Sequence, residues 1–132
     1  MFLETNKKDR SYQYGRLLAV LEKIEWDTYD NHEKERRETN AVRMQSVFVK
    51  RPAYAAKIIL EQLKNGYYSK LSVGGRVYYE KLIGDIYSVI SDFPDSELNK
   101  PLSETYILGY YLQKNSLFTK QENTEVSEDE QI

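Results

Sequence analysis

Tyr14, Leu17, Leu18, Leu21 and Ile24 recur at spacings of three and four residues, the repeat of one face of an α-helix. That period, not the alternation of a half-buried strand, runs through almost the whole chain. It predicts a first amphipathic helix over roughly residues 11–30. Gly15 and Ala19 are four apart on its surface, where a partner helix can approach closely. Glu22 and Glu25 are expected on its solvated side. Trp26 falls on a shoulder, as core or as an anchor for a protein partner.

The same reasoning divides the rest of the chain. Asn31 to Glu38 is polar and reads as a loop or a frayed helix end. A second helix, roughly 39–49, has Met44, Val47 and Phe48 as its apolar stripe. Pro52 ends it and suits the first turn of a third, which carries Ala53, Ala56, Leu60 and Leu63. Asn65-Gly66 is a stop signal, and Gly74-Gly75 reads as a helix–helix turn. A fourth helix follows, with Tyr79, Leu82, Ile83, Ile86, Ile90 and Phe93 inward. A fifth, roughly 103–118, has Tyr106, Ile107, Leu108, Tyr111, Leu112 and Phe118 as its stripe. The expected fold is all-α: a single antiparallel bundle of about five helices over residues 1–120, followed by a disordered acidic tail at 121–132.

Several kinds of chemistry lack their residues. There is no cysteine, so disulfides, thiolate zinc sites and thiol nucleophiles are excluded. The single histidine, His32, sits in the polar stretch DNHEKERRE and reads as a solvated residue. No carboxylates have metal-loop spacing, and Gly74-Gly75 lacks the Lys-Ser/Thr of a phosphate-binding loop. No metal, cofactor or enzymatic activity is therefore expected. No apolar run approaches the ~20 residues that span a bilayer, and MFLETNKKDR is not followed by a signal-peptide core. A cytoplasmic protein without membrane contact is the expectation.

Charge is where the sequence speaks of function. The chain totals −2, yet residues 36–81 hold ten cations and three acids, a net +7. The cations are Arg36, Arg37, Arg43, Lys50, Arg51, Lys57, Lys64, Lys70, Arg76 and Lys81. The last twelve residues carry five acids and no cation. Most of the central cations lack an acid at i±4, Lys57–Glu61 and Arg76–Glu80 being exceptions. Arg43 and Lys50 are seven apart, as are Lys57 and Lys64, so each pair lines one helix face. Tyr54, Tyr67, Tyr68, Tyr78 and Tyr79 lie in the same window. Cations interleaved with aromatics suit a nucleic-acid backbone with exposed bases. Arg43, Lys50, Arg51, Lys57 and Lys64 are the foremost candidates, with Arg36, Arg37, Lys70 and Arg76 beside them. Tyr14, Tyr79 and Tyr111 are expected in the core. Tyr67, Tyr68 and Tyr78 are the tyrosines left for the surface.

Three blocks, RSYQYGRLLAVLEKIE at 10–25, YYEKLIGDI at 78–86 and YILGYYLQKNSLF at 106–118, carry a resemblance. In their order and spacing they resemble the C-terminal region of the large subunit of type I-C CRISPR Cascade. The matching residues are Tyr12, Gly15, Arg16, Leu17, Ala19, Val20 and Glu22, then Leu108, Gly109, Tyr110, Tyr111 and Gln113. Asn40, Ala41 and Arg43 fit as well. The chain begins at its own Met1 without the family's large N-terminal part, and its length suits the separately translated small subunit.

The resemblance implies a non-catalytic helical subunit, present in several copies along an RNA-guided surveillance complex. Its implied partners are the backbone and large subunits, the guide RNA, and the target and non-target DNA strands. It would support the guide–target duplex and help hold the displaced strand. Arg16 is implied as a structural ion-pair donor in preference to a phosphate contact. The alternative is a helical protein–protein adaptor whose basic face docks on an acidic partner.

Overall fold

The computed structural model describes residues 2–130, with side chains as far as residue 119. Seven α-helices follow one another among the described residues: α1 Arg10–Thr28, α2 Asn31–Arg36, α3 Asn40–Arg43, α4 Gln45–Lys50, α5 Pro52–Gly66, α6 Val73–Ile90 and α7 Thr105–Glu130. No strand occurs among the described residues. The expected all-α bundle is the observed fold, its four long helices and the α3–α4 pair matching the five anticipated. The expected disordered tail at 121–132 lies outside the residues described with side chains. No helix among the described residues is long and apolar enough to cross a membrane.

The bundle is arranged around α1. Asp9 caps it, accepting from Tyr12 N at 3.0 Å. Fourteen of its nineteen residues are buried, Ser11 to Leu21 without interruption. A helix covered on all sides needs neighbours on all sides, and α3, α5, α6 and α7 supply them. α6 runs against α1, since Asp27 meets Tyr79 while Lys8 meets Asp92. α7 runs with α1, a parallel pairing inside the bundle expected to be antiparallel, with Ser11 bonded to Ser103 at one end and Lys23 over Phe118 at the other. The core joins Leu17, Leu18, Leu21 and Ile24 of α1 to Phe48, Ile59, Leu63, Ile83 and Ile86. Each such side chain contributes about 1.5–3 kcal/mol on burial.

Glycine sets the closest contact. A Cβ on Gly15 would overlap the carbonyl oxygen of Tyr106 and stand 2.9 Å from Tyr110 N. A Cβ on Gly109 would overlap the carbonyl oxygen of Tyr12 and stand 3.1 Å from its Cα. α1 and α7 therefore cross backbone to backbone, each through the other's glycine. The space anticipated at Gly15 is filled by α7.

Several local expectations change. Asn31–Arg36 is a helix because Asp30 and Glu33 form a reciprocal capping box, with bonds of 2.8 and 3.2 Å. The helix expected over 39–49 is divided at Met44, whose φ −94°, ψ 10° departs from helical values. Gly74 and Gly75 are not the turn. They lie in the first turn of α6, which Ser72 caps by accepting from Gly75 N at 3.0 Å. The α7 stripe is also turned: Ile107, Leu108 and Tyr111 are exposed, while Gly109, Gln113 and Leu117 face inward.

The largest revision concerns the carboxylates of α1. Glu25 is 1 % exposed, and Glu22 is half-buried. Glu25 accepts from the Tyr29 hydroxyl, from Asn40 N at 3.1 Å and from Asn40 Nδ2 at 3.0 Å. Glu22 accepts from the Tyr110 hydroxyl and from Lys114 Nζ at 3.2 Å. Asp27 accepts from the Tyr79 hydroxyl and from Lys23 Nζ at 2.6 Å. These acids tie α1 to α3, α7 and α6. Glu25→Ala should cost about 3 kcal/mol, because one buried and two half-buried donors lose their acceptor at once. Urea denaturation measures this, and a loss below about 1 kcal/mol would contradict it.

The tyrosines carry a pH prediction. Burial raises Tyr29, Tyr79 and Tyr110 well above the ordinary value of 10, and the accepting carboxylates raise them further. Burial pushes Tyr87 up to about 12. A group whose pKa is raised on folding adds stability that is complete below its unfolded value. That stability declines as pH rises through the folded value. The urea midpoint should therefore hold steady to pH ~10 and fall steeply above it, alongside tyrosinate absorbance. A flat midpoint through pH ~11 would contradict these bonds.

Candidate nucleic-acid interface

All the basic candidates except Arg76 lie on α2 to α5 and the turn that follows. Pro52 occupies the first turn of α5, and the helix places Lys57 and Lys64 seven residues apart on its solvent face. Glu61 stands between them. Tyr54 opens the row, 46 % exposed, with the Arg51 guanidinium 4.5 Å from its ring centroid. Its backbone N–H donates to Asn99 Oδ1 at 3.0 Å. Lys50 ends α4 beside Arg51 and is exposed.

A second group gathers on Tyr67, just beyond α5. Its hydroxyl accepts from Arg37 Nη2 at 3.4 Å, and Lys70 Nζ lies 5.5 Å from its ring centroid. Arg37 also lies 5.2 Å from the Tyr29 ring centroid and pairs with Glu33 at 3.1 Å. The nearby Tyr29 phenol raises the Arg37 pKa further, so it stays cationic. Arg43 Nη2 donates to Asn40 Oδ1 at 2.7 Å. Asn40 in turn borders a shallow groove whose other wall is α5, with Ile58, Glu61 and Gln62. Arg37, Lys70 and Arg43 thus border the α5 row at its C-terminal half. Arg36 is exposed on α2 and Arg76 half-buried on α6. No hydrogen bond, ring contact or ion pair among the described residues joins them to this group.

Of the ten cations in 36–81, only Arg37 has a carboxylate partner among the described residues. The anticipated Lys57–Glu61 and Arg76–Glu80 pairs do not form. Nine of the ten side chains are exposed. Tyr54 and Tyr78 are exposed as well, and Tyr67 and Tyr68 are half-buried. Tyr14 and Tyr79 are in the core as anticipated, whereas Tyr111 is not. No group of three or more acids and histidines among the described residues could hold a metal ion.

Arg16 does not belong to this surface. It is 1 % exposed at the α1–α7 crossing. Its Nε donates to Gln113 Oε1 at 2.9 Å, and its Nη1 donates to Thr5 O at 3.0 Å and Gln13 Oε1 at 2.8 Å. Burial lowers its pKa. The structural role stands, but through neutral oxygens in place of an ion pair. A family model described as CRISPR-associated protein (Cas_Csd1) matches residues 1–118.

The chain belongs to the Cas_Csd1 family. No curated protein and no solved structure matches it. The membership agrees with the family resemblance carried by the three sequence blocks. In this Cas_Csd1 chain two of those blocks meet: Gly15 faces the Tyr106 and Tyr110 backbone, Gly109 faces that of Tyr12, and Arg16 bonds Gln113. They are packing positions. The basic side lies apart from them, on elements outside the three blocks.

Proposed function

We propose that this chain serves as the small subunit of a type I-C CRISPR Cascade, a non-catalytic scaffold that supports the guide RNA–target DNA duplex and helps hold the displaced DNA strand. The observation that carries the reading is the unpaired basic row of α5 with its neighbours. Exposed lysines and arginines without carboxylate partners are free to neutralise phosphates. Family membership favours a role in a CRISPR complex. Sequence choice would come from guide pairing, so the subunit needs no base-specific motif. Its partners would be the backbone and large Cascade subunits and further copies of itself, in the cytoplasm. One copy would bind a strand weakly, and aligned copies would supply avidity.

Binding to single-stranded DNA across a salt series tests the reading. Affinity should fall linearly on logarithmic axes with a slope set by the phosphates contacted. A salt-independent affinity, or none at low salt, would sink it.

The adaptor reading keeps one observation in its favour. Ile107, Leu108 and Tyr111 form an exposed apolar face on α7. Such a face suits a protein neighbour. The two readings are compatible if α7 meets a subunit while α5 meets the strand.

A further inference from the structure

The groove beside α5 differs chemically from the cations around it. Asn40, Ile58, Glu61, Gln62, Asn65 and Tyr67 line it. None of these is a cation. Asn40 is committed, its amide donating to Glu25 and accepting from Arg43. Gln62 and Asn65 are exposed, and their amides have no hydrogen-bond partner among the described residues. Glu61 also has none, although Lys57 and Lys64 flank it on the same helix face. Ile58 and the Tyr67 ring supply apolar and aromatic surface. Arg37 and Lys70 hold the Tyr67 ring at the rim.

A strand laid along Lys57 and Lys64 meets two different environments. Its phosphates find the lysines at the rim. Inside the groove a phosphate would meet the Glu61 carboxylate and be repelled. A base would not: it is uncharged, stacks on an aromatic ring, and offers donors and acceptors to free amides. A carboxylate accepts well from an exocyclic amino group, which thymine lacks. We infer that this groove is a nucleobase subsite, taking one unpaired base onto Tyr67 and Ile58 while the flanking phosphates lie on Lys57 and Lys64. Gln62, Asn65 and Glu61 meet the base edge and favour bases with an amino group. The inference rests on the strand-holding reading and specifies which part of the nucleotide each residue meets.

Fluorescence anisotropy at low salt tests it with three strands of equal length: oligodeoxycytidine, oligothymidine and an abasic strand. The protein should bind oligodeoxycytidine about tenfold tighter than the abasic strand, the loss expected when a stacked base is removed. It should prefer oligodeoxycytidine to oligothymidine by about fivefold, and Glu61→Gln should abolish that preference. Gln62→Ala with Asn65→Ala should narrow the cytidine–abasic gap without changing abasic binding. Both residues are exposed, so this variant folds; Tyr67→Leu should narrow the gap further. Lys57→Glu with Lys64→Glu should weaken all three strands alike. Equal affinity for abasic and base-bearing strands, with the lysine variant still weakening both, overturns the subsite and leaves the phosphate-binding reading standing. No effect of the lysine variant overturns both.

Discussion

Gly15→Ala should lower the stability of this protein by about 3 kcal/mol or more, which is the upper end of the cost of overpacking a core. The added methyl group has no room to move into. It would overlap the Tyr106 carbonyl oxygen, and the Tyr110 amide nitrogen is 2.9 Å away. Both are backbone atoms, so no side chain can rotate to admit it. α7 must shift outward, and a shift there breaks the Arg16–Gln113 bond and the contact of Tyr110 with Glu22. Alanine's better helix propensity returns only about 1 kcal/mol. For a domain of this size the melting temperature should fall by roughly 10 °C. Gly109→Ala should behave alike, through the Tyr12 carbonyl. Gly84 supplies the control, since nothing lies within 4 Å of its added Cβ. Gly84→Ala should raise stability by about 0.5–1 kcal/mol. If all three variants melt together, the close crossing is wrong.

Replacing Arg43, Lys50, Lys57 and Lys64 together by glutamate should reduce single-strand affinity by at least about a hundredfold at low salt, and flatten its salt dependence. Each replacement removes a counter-charge for phosphate and installs a repulsive one. Because all four side chains are exposed and none has a carboxylate partner among the described residues, the fold should survive. An unchanged helical circular-dichroism spectrum and melting temperature check that. Arg36 and Arg76 are a comparison pair, standing outside the connected group. Their reversal should cost markedly less. If the quadruple variant binds as the parent does, the strand lies elsewhere and the adaptor reading gains.

Much of the helical order is legible locally. The i, i+3, i+4 stripe of α1, Pro52 at the start of α5 and the seven-residue spacing of Lys57 and Lys64 depend only on neighbours in sequence. The capping box of α2 was also local, and lay in a stretch whose polarity suggested a loop. What periodicity cannot see is a partner from far along the chain. Glu22 and Glu25 look like solvated carboxylates until Tyr110, Tyr29 and Asn40 are brought to them. α7 carries apolar residues on several sides, so hydrophobicity alone does not choose its inward face. Gly109 chooses it, by admitting the backbone of α1. At the interface, the α5 row follows from register. The meeting of Arg37 and Lys70 at Tyr67 does not, because it depends on the path of the turn after α5.

The parallel pairing of α1 with α7 has a kinetic consequence. Arg16 and Gln113 are 97 residues apart in sequence, so the tightest interface forms only once α7 has left the ribosome. Until α7 emerges, the most buried helix of the bundle lacks the neighbour that covers its Gly15 side. Loop closure over such a span is slow compared with helix formation. A nascent chain halted before Thr105 should therefore be a ligand for chaperones, and its release should coincide with the emergence of α7.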